Sequence, residues 1–285
     1  MTYAAAFPSD AASRADAIRP THQRARGELI VTLKTRDGAT VLDDLRQDGC
    51  LKARFPNRVD WMEVVTLNSS GGIAGGDTLR STLRVREGAR ATFAAQAAER
   101  IYRALPDDLS RIDTTITIEA DAAAEWLPQE TILFDRCAYR RTLDVHVAAT
   151  GRFLGLETLV FGRTAMGETV TTARISDTIR LHQAGRLVLH DAIRLDGAVA
   201  ETLARRATAG GCAAMTTLLL SAPDAADRVD TLREALGPDD AGVSAWNGLL
   251  VARIVAQTGA ALRAAIVASL HVLRDGRSLP RVWQC

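Results

Sequence analysis

Lysine is nearly missing from this sequence: Lys34 and Lys52 are the only two among 35 basic residues. With the heavy use of alanine, that reads as the coding bias of a GC-rich gene before it reads as function. A charge excess of either sign is missing too, since 35 Lys+Arg against 34 Asp+Glu leaves +1. A nucleic-acid binder usually carries a clustered basic excess, so no polyanion is expected as a partner. Aromatic residues make up only 5%, too few for the ring platforms of most carbohydrate enzymes. Cysteine is sparse: Cys50, Cys137, Cys212 and Cys285 are scattered, with no C-x-x-C pair. Two disulfides are arithmetically possible, with three connectivities. Residues 1–26 hold no apolar stretch of the export type, which points to the cytoplasm and reduced thiols. No run approaches 18 apolar residues, so no membrane span is expected.

What is present is an ordinary packed-protein composition, 47% hydrophobic over 285 residues. A chain of this length buries about 75% of its unfolded surface, so it needs neither a disulfide nor a metal to fold. Residues 1–26 read as a flexible N-terminal tail and 27–285 as a single domain. From Gly27 to about Leu195 the pattern is strand after strand. In 78–86, Leu79, Leu83 and Val85 alternate with Arg80, Thr82, Arg84 and Arg86. Residues 111–119 and 139–147 repeat that period of two, and turn residues recur every 10–12 positions or so. This suggests a sandwich, a barrel or a β-helical stack.

One hairpin can be given a register. Ala173–His182 and Arg186–Leu195 flank Gln183-Ala184-Gly185, and a three-residue loop would pair Leu181 with Leu187 and Ile179 with Leu189. The same register sets Asp177 opposite Asp191 on an otherwise apolar face, where like charges need water or a cation. Beyond residue 197 the period changes. Met215–Ala222 and Leu249–Ala256 read as buried strands; Asp224–Leu236, capped by Asp224 and ended by Gly237-Pro238, and Thr258–Arg274 read as helices.

The motifs are individually modest. Gly71 to Gly76 has the glycine spacing of a phosphate loop, but Asp77 stands at the lysine position and would repel a phosphate. That loop reads as a bend presenting Asp77. His146, His182 and His190 fall on polar strand faces and read as solvated; no H-E-x-x-H or G-x-S-x-G occurs. The four tryptophans are spread along the chain and read as packing anchors. Pro128 marks an edge or a break. Carboxylates are numerous enough that a two-carboxylate hydrolase stays open.

Five segments in register, Gly71–Leu79, Tyr102-Arg103, Glu125–Glu130, Gly162–Glu168 and Leu279–Trp283, resemble the UreD (UreH) family of urease accessory proteins. The residues before Tyr102, 94–100, depart from the family pattern. The resemblance implies a mainly β, β-helix-like stack of many strands with a C-terminal α+β portion of about two helices. It implies a scaffold or chaperone rather than an enzyme. Such proteins join UreF, which recruits the GTPase UreG, and together they engage apo-urease subunits; homodimerisation runs through that accessory complex. Ni2+ is transient cargo passing through the UreD-like subunit. Weak oxygen or imidazole ligands suit release, whereas a dense Cys or His cage would trap the ion. The resemblance points to Asp77, Glu157 and Glu168 on the nickel path, with Glu130, Asp177 and Asp191 as further candidates. Arg163 would orient Glu168 or contact a partner. A β-helical carbohydrate-active enzyme and an adaptor with no metal role are the other readings.

Overall fold

The computed structural model describes residues 23–56, 61–163, 166–237 and 241–284. Residues 1–22 of the expected tail, Pro238 and Cys285 lie outside them. Two sheets face each other. The first holds β1 (Arg26–Arg36), β2 (Ala39–Gly49), β5 (Thr78–Val85), β8 (Ser110–Ile118), β11 (Ala138–Val147), β13 (Thr172–Gln183) and β14 (Arg186–Ala198), in the order β14-β13-β11-β8-β5-β1-β2. The second holds β3 (Leu51–Arg54), β4 (Met62–Asn68), β6 (Arg90–Ala95), β9 (Ala123–Leu127), β12 (Arg152–Phe161), β15 (Ala214–Ser221), β16 (Ala241–Trp246) and β17 (Leu249–Ala256), in the order β16-β17-β15-β12-β9-β6-β4-β3. Two short strands, β7 (Glu99–Ile101) and β10 (Thr131–Leu133), extend it beside β12.

The chain alternates between the sheets, so β4/β5, β6/β8, β9/β11 and β12/β13 are successive coils of a solenoid-like stack of about four turns. Within the stack, like strands run parallel. Parallel strands covered on both faces carry continuous apolar runs, and β12 follows that rule: Phe153, Leu159 and Phe161 face the other sheet, while Leu154 and Leu156 face outward to the helices. At one corner the coils stack like on like. Ile73, Ile101, Leu133 and Phe161 follow one another by parallel pairing, each nearly inaccessible to solvent. Burying each side chain is worth roughly 1.5–3 kcal/mol.

The helices are α1 (Val199–Ala204), α2 (Val229–Leu236) and α3 (Gly259–Leu273). Helix α3 starts at Thr258, whose hydroxyl accepts from Ala261 N at 3.1 Å, and lays Leu262, Ile266, Leu270 and Leu273 on the outer face of the second sheet. Thr258→Ala should therefore lower stability by about 1 kcal/mol, read from a shifted urea midpoint. A midpoint unchanged from wild type would show that the cap contributes nothing. Helix α2 begins five residues after the expected cap. Asp224 is occupied by Arg152 at 2.6 Å and by Arg228 at 2.8 and 3.0 Å, and a 3-10 turn at Ala226–Arg228 precedes the helix.

The hairpin register also differs from the expected one. Ala184 and Gly185, at φ +48° and +78°, form a two-residue turn, and His182 pairs with Leu187. A bulge between Leu181 and His182 absorbs Val188, so the apolar faces stay in phase: Leu181 pairs with Leu189 and Ile179 with Asp191. Asp177 consequently faces Ile193, not Asp191. The two carboxylates share a sheet face but form no cross-strand pair.

Candidate functional site

Arg141 organises the space between the sheets. It lies on β11 in phase with Leu143 and Val145, the apolar side of that strand, and is 8% exposed. Its register partner on β13 is Asp177, 5% exposed, whose carboxylate accepts from Arg141 Nε at 3.1 Å and from Nη2. Across the sandwich, Glu157 of β12 lies 2.7 Å from Arg141 Nη1 and also accepts from Trp126 Nε1 at 2.9 Å. Arg141 Nη1 donates to the Thr131 hydroxyl at 2.9 Å. One cation thus ties two buried carboxylates from opposite sheets. A buried charge persists only when paired and hydrogen-bonded, and each member here is.

The electrostatics follow from burial. Desolvation raises the Glu157 carboxyl above its ordinary value, against the lowering pull of Arg141, and the nearby Asp177 charge adds to the rise. Burial works against the Arg141 cation, but the Asp177 and Glu157 carboxylates outweigh it and push its pKa up. Burial also raises Tyr139, whose hydroxyl donates to Asp177 at 3.4 Å. Beside this triad lies a cavity of about 250 Å³, with Asn68, Gly72, Glu99, Arg141 and Glu157 in its wall. Glu99 is raised as well, first by burial, and Asn68 donates to it at 3.2 Å. Glu99 sits in a three-residue strand, too short to show a period, and no sequence signal marks it.

The remaining candidates lie apart from the triad. Asp77 is buried, its two oxygens accepting from Ala25 N at 2.7 Å and Ala74 N at 2.8 Å, so it closes the glycine loop onto β1. Glu168 pairs with Arg163 at 2.6 Å, which settles the orientation of Glu168 within the turn. Glu130 is 3.8 Å from Arg263. Asp191 pairs with Arg253 at 2.6 Å on β17. Glu157 and Asp177 are therefore the two that the fold brings together.

The five sequence segments form two seams. At the stacked corner, the Tyr102 hydroxyl donates to Gly71 O at 2.8 Å, and its ring occupies the space where a Cβ on Gly72 would fall, 2.4 Å away. Phe134 packs edge-on against Tyr102, and Arg163 lies over Phe134. The second seam joins β9 to the chain end. Trp283 Nε1 donates to Leu127 O at 3.0 Å, and Gln129 Nε2 to Val282 O at 2.7 Å. Arg263 bridges Gln129 and Trp283 O. Three tryptophans serve as anchors in this way or beside the triad; Trp246 is exposed instead.

Comparison with known proteins places the chain in a family. The family profile described as UreD urease accessory protein matches residues 25–284. The urease accessory protein UreD of Dinoroseobacter shibae is 45% identical over 273 residues, covering 94% of this chain and 95% of that protein. The urease accessory protein UreD of Xanthobacter autotrophicus is 41% identical over 281 residues, covering 98% and 95%. Both are named as accessory proteins, not as enzymes. No helix among the described residues is long and apolar enough to cross a membrane. With all five segments placed in one fold and matched along nearly its whole length, the chain belongs to the UreD family of urease accessory proteins, and its role lies in urease maturation.

Proposed function

We propose that the protein is a non-catalytic scaffold that docks, with UreF and the GTPase UreG, on apo-urease and conducts Ni2+ towards the urease active site. The observation that carries this reading is the cavity between the sheets, walled by Glu99 and Glu157 and neighboured by the Arg141 triad. Carboxylate oxygens bind Ni2+ weakly compared with thiolates and imidazole clusters, which suits passage over storage. Arg141 competes with a passing cation for Glu157 and keeps its residence short. GTP hydrolysis belongs to UreG in this scheme, and any pairing of two copies runs through the accessory complex. The setting is the cytoplasm, where Cys50, Cys137 and Cys212 stay as thiols.

Glu157→Gln tests the route while keeping the side-chain shape and one acceptor for Arg141. In a reconstituted activation with apo-urease, UreF and UreG, urease nickel content and activity should fall severalfold. Pull-down of the partners should match wild type. Full nickel loading with normal partner binding would take Glu157 off the path.

A further inference from the structure

We propose that Asp144, His146 and His182 form a second metal site, on the outer face of the first sheet, selective for borderline divalent cations such as Ni2+, Zn2+ or Cu2+. The site is separate from the inter-sheet cavity and does not rest on the nickel route proposed above. The parallel register of β11 and β13 builds it. His146 pairs with His182 and Asp144 with Arg180, so the two imidazoles stand side by side with ring centroids 4.6 Å apart and planes 18° from parallel. Both Nε2 atoms face the same carboxylate oxygen, Asp144 Oδ1, at 3.4 Å for His146 and 3.3 Å for His182. All three ligand atoms lie within 4.8 Å of one another.

The separations fit a shared cation better than a shared proton. A charge-assisted N–H···O hydrogen bond closes to about 2.7–2.9 Å. Two ligands bonded to one metal at about 2.0–2.1 Å in a tetrahedral arrangement lie about 3.3–3.4 Å apart. The oxygen itself supplies an independent sign: Asp144 Oδ1 is buried and accepts no hydrogen bond among the described residues. Its companion Oδ2 is held by Arg180 Nη2 at 2.8 Å, which fixes the carboxylate with Oδ1 turned to the rings. His146 is exposed and His182 half-buried, so an ion reaches the site from solvent and keeps open positions for water or a partner's ligand. Two imidazoles and one carboxylate favour Cu2+, Ni2+ and Zn2+ over Mg2+ or Ca2+, which take oxygen ligands. The Arg180 charge nearby weakens the hold and keeps it reversible.

The full-length protein is titrated with Ni2+, Zn2+ and Cu2+ separately by equilibrium dialysis. The double variant His146→Ala/His182→Ala should bind one equivalent fewer than wild type. Asp144→Asn, which keeps the packing, should weaken that equivalent at least tenfold, and Glu157→Gln should leave it unchanged. With one equivalent of Cu2+, the electron paramagnetic resonance spectrum of wild type should show coupling to two imidazole nitrogens, lost in the double variant. Equal stoichiometry and affinity in wild type and the histidine double variant, or a spectrum without nitrogen coupling, would overturn the site. Loss of the equivalent in Glu157→Gln alone would assign it to the cavity and overturn the site equally.

Discussion

Glu125→Ala is expected to lower the unfolding free energy by about 3–5 kcal/mol, because it strands a buried guanidinium. Glu125 lies on β9 with its side chain on the outer face of the second sheet, 1% exposed. Its carboxylate accepts from Arg274 Nε and Nη2, both at 3.0 Å, from Arg277 Nη2 at 2.5 Å and from the Thr92 hydroxyl at 2.6 Å. Arg274, 3% exposed, follows the last turn of α3 and also donates to Ser278 O at 2.6 Å. Arg277 lies over the Trp61 ring at 3.8 Å. One carboxylate thus docks the end of α3 and the segment leading to Trp283 onto the solenoid. Urea denaturation followed by circular dichroism measures the loss. The double change Glu125→Met/Arg274→Met should recover much of it, since replacing both members of a buried pair is often near neutral while removing one is not. A single-variant loss below about 1 kcal/mol, or no recovery in the double variant, would show that the pair does not hold the helical end in place.

That pair also shows what the sequence could and could not disclose. Alternation in 78–86, 111–119 and 139–147 located three strands of the first sheet, because a half-buried strand prints its faces directly into period two. Strands β15 and β17 and helix α3 were legible for related reasons: an unbroken apolar run, and a stripe with a capping threonine. The function of Glu125 and Trp283 as one seam was not legible. They are separated by more than 150 residues, and only the docking of α3 on the sheet joins them. The same holds for His146 and His182, which read as solvated polar-face residues until the parallel register set them side by side. The hairpin turn misled for a more local reason. A two-residue turn would have scrambled the faces but for the bulge at Leu181/His182, and a bulge has no sequence mark there beyond Gly185. Arg141 did leave a signal. It stands two positions before Leu143 on the apolar phase of its strand, where an arginine requires a buried counter-charge, and Asp177 stands on the apolar phase of β13.

Arg141→Met should therefore be the second strongly destabilising substitution, and the one whose cost depends on pH. Met fills most of the volume without charge, so the effect isolates what the cation does for Glu157 and Asp177. At pH 7 the variant leaves two carboxylates buried between the sheets with their common partner gone, a loss of about 3–5 kcal/mol. In the wild type, burial already holds the Glu157 carboxyl above its ordinary value, with Arg141 pulling the other way. Without Arg141 the rise grows. A carboxyl whose folded-state pKa is raised binds protons in the folded state that the unfolded chain has released, so stability falls as pH rises. The fall begins near the unfolded value, about 4.3 for Glu, and ends above the raised folded value. The deficit of the variant relative to wild type should thus shrink markedly on going from pH 8 to pH 5, where the Glu157 carboxyl takes up a proton and needs no cation. Glu99, raised by burial and held down in part by the Arg141 charge, rises further in the variant and adds to the same trend. Urea midpoints of the two proteins at pH 5, 6, 7 and 8 supply the comparison. A deficit that stays constant across that range would mean that Arg141 acts by packing alone, and the charge account of the triad would be wrong.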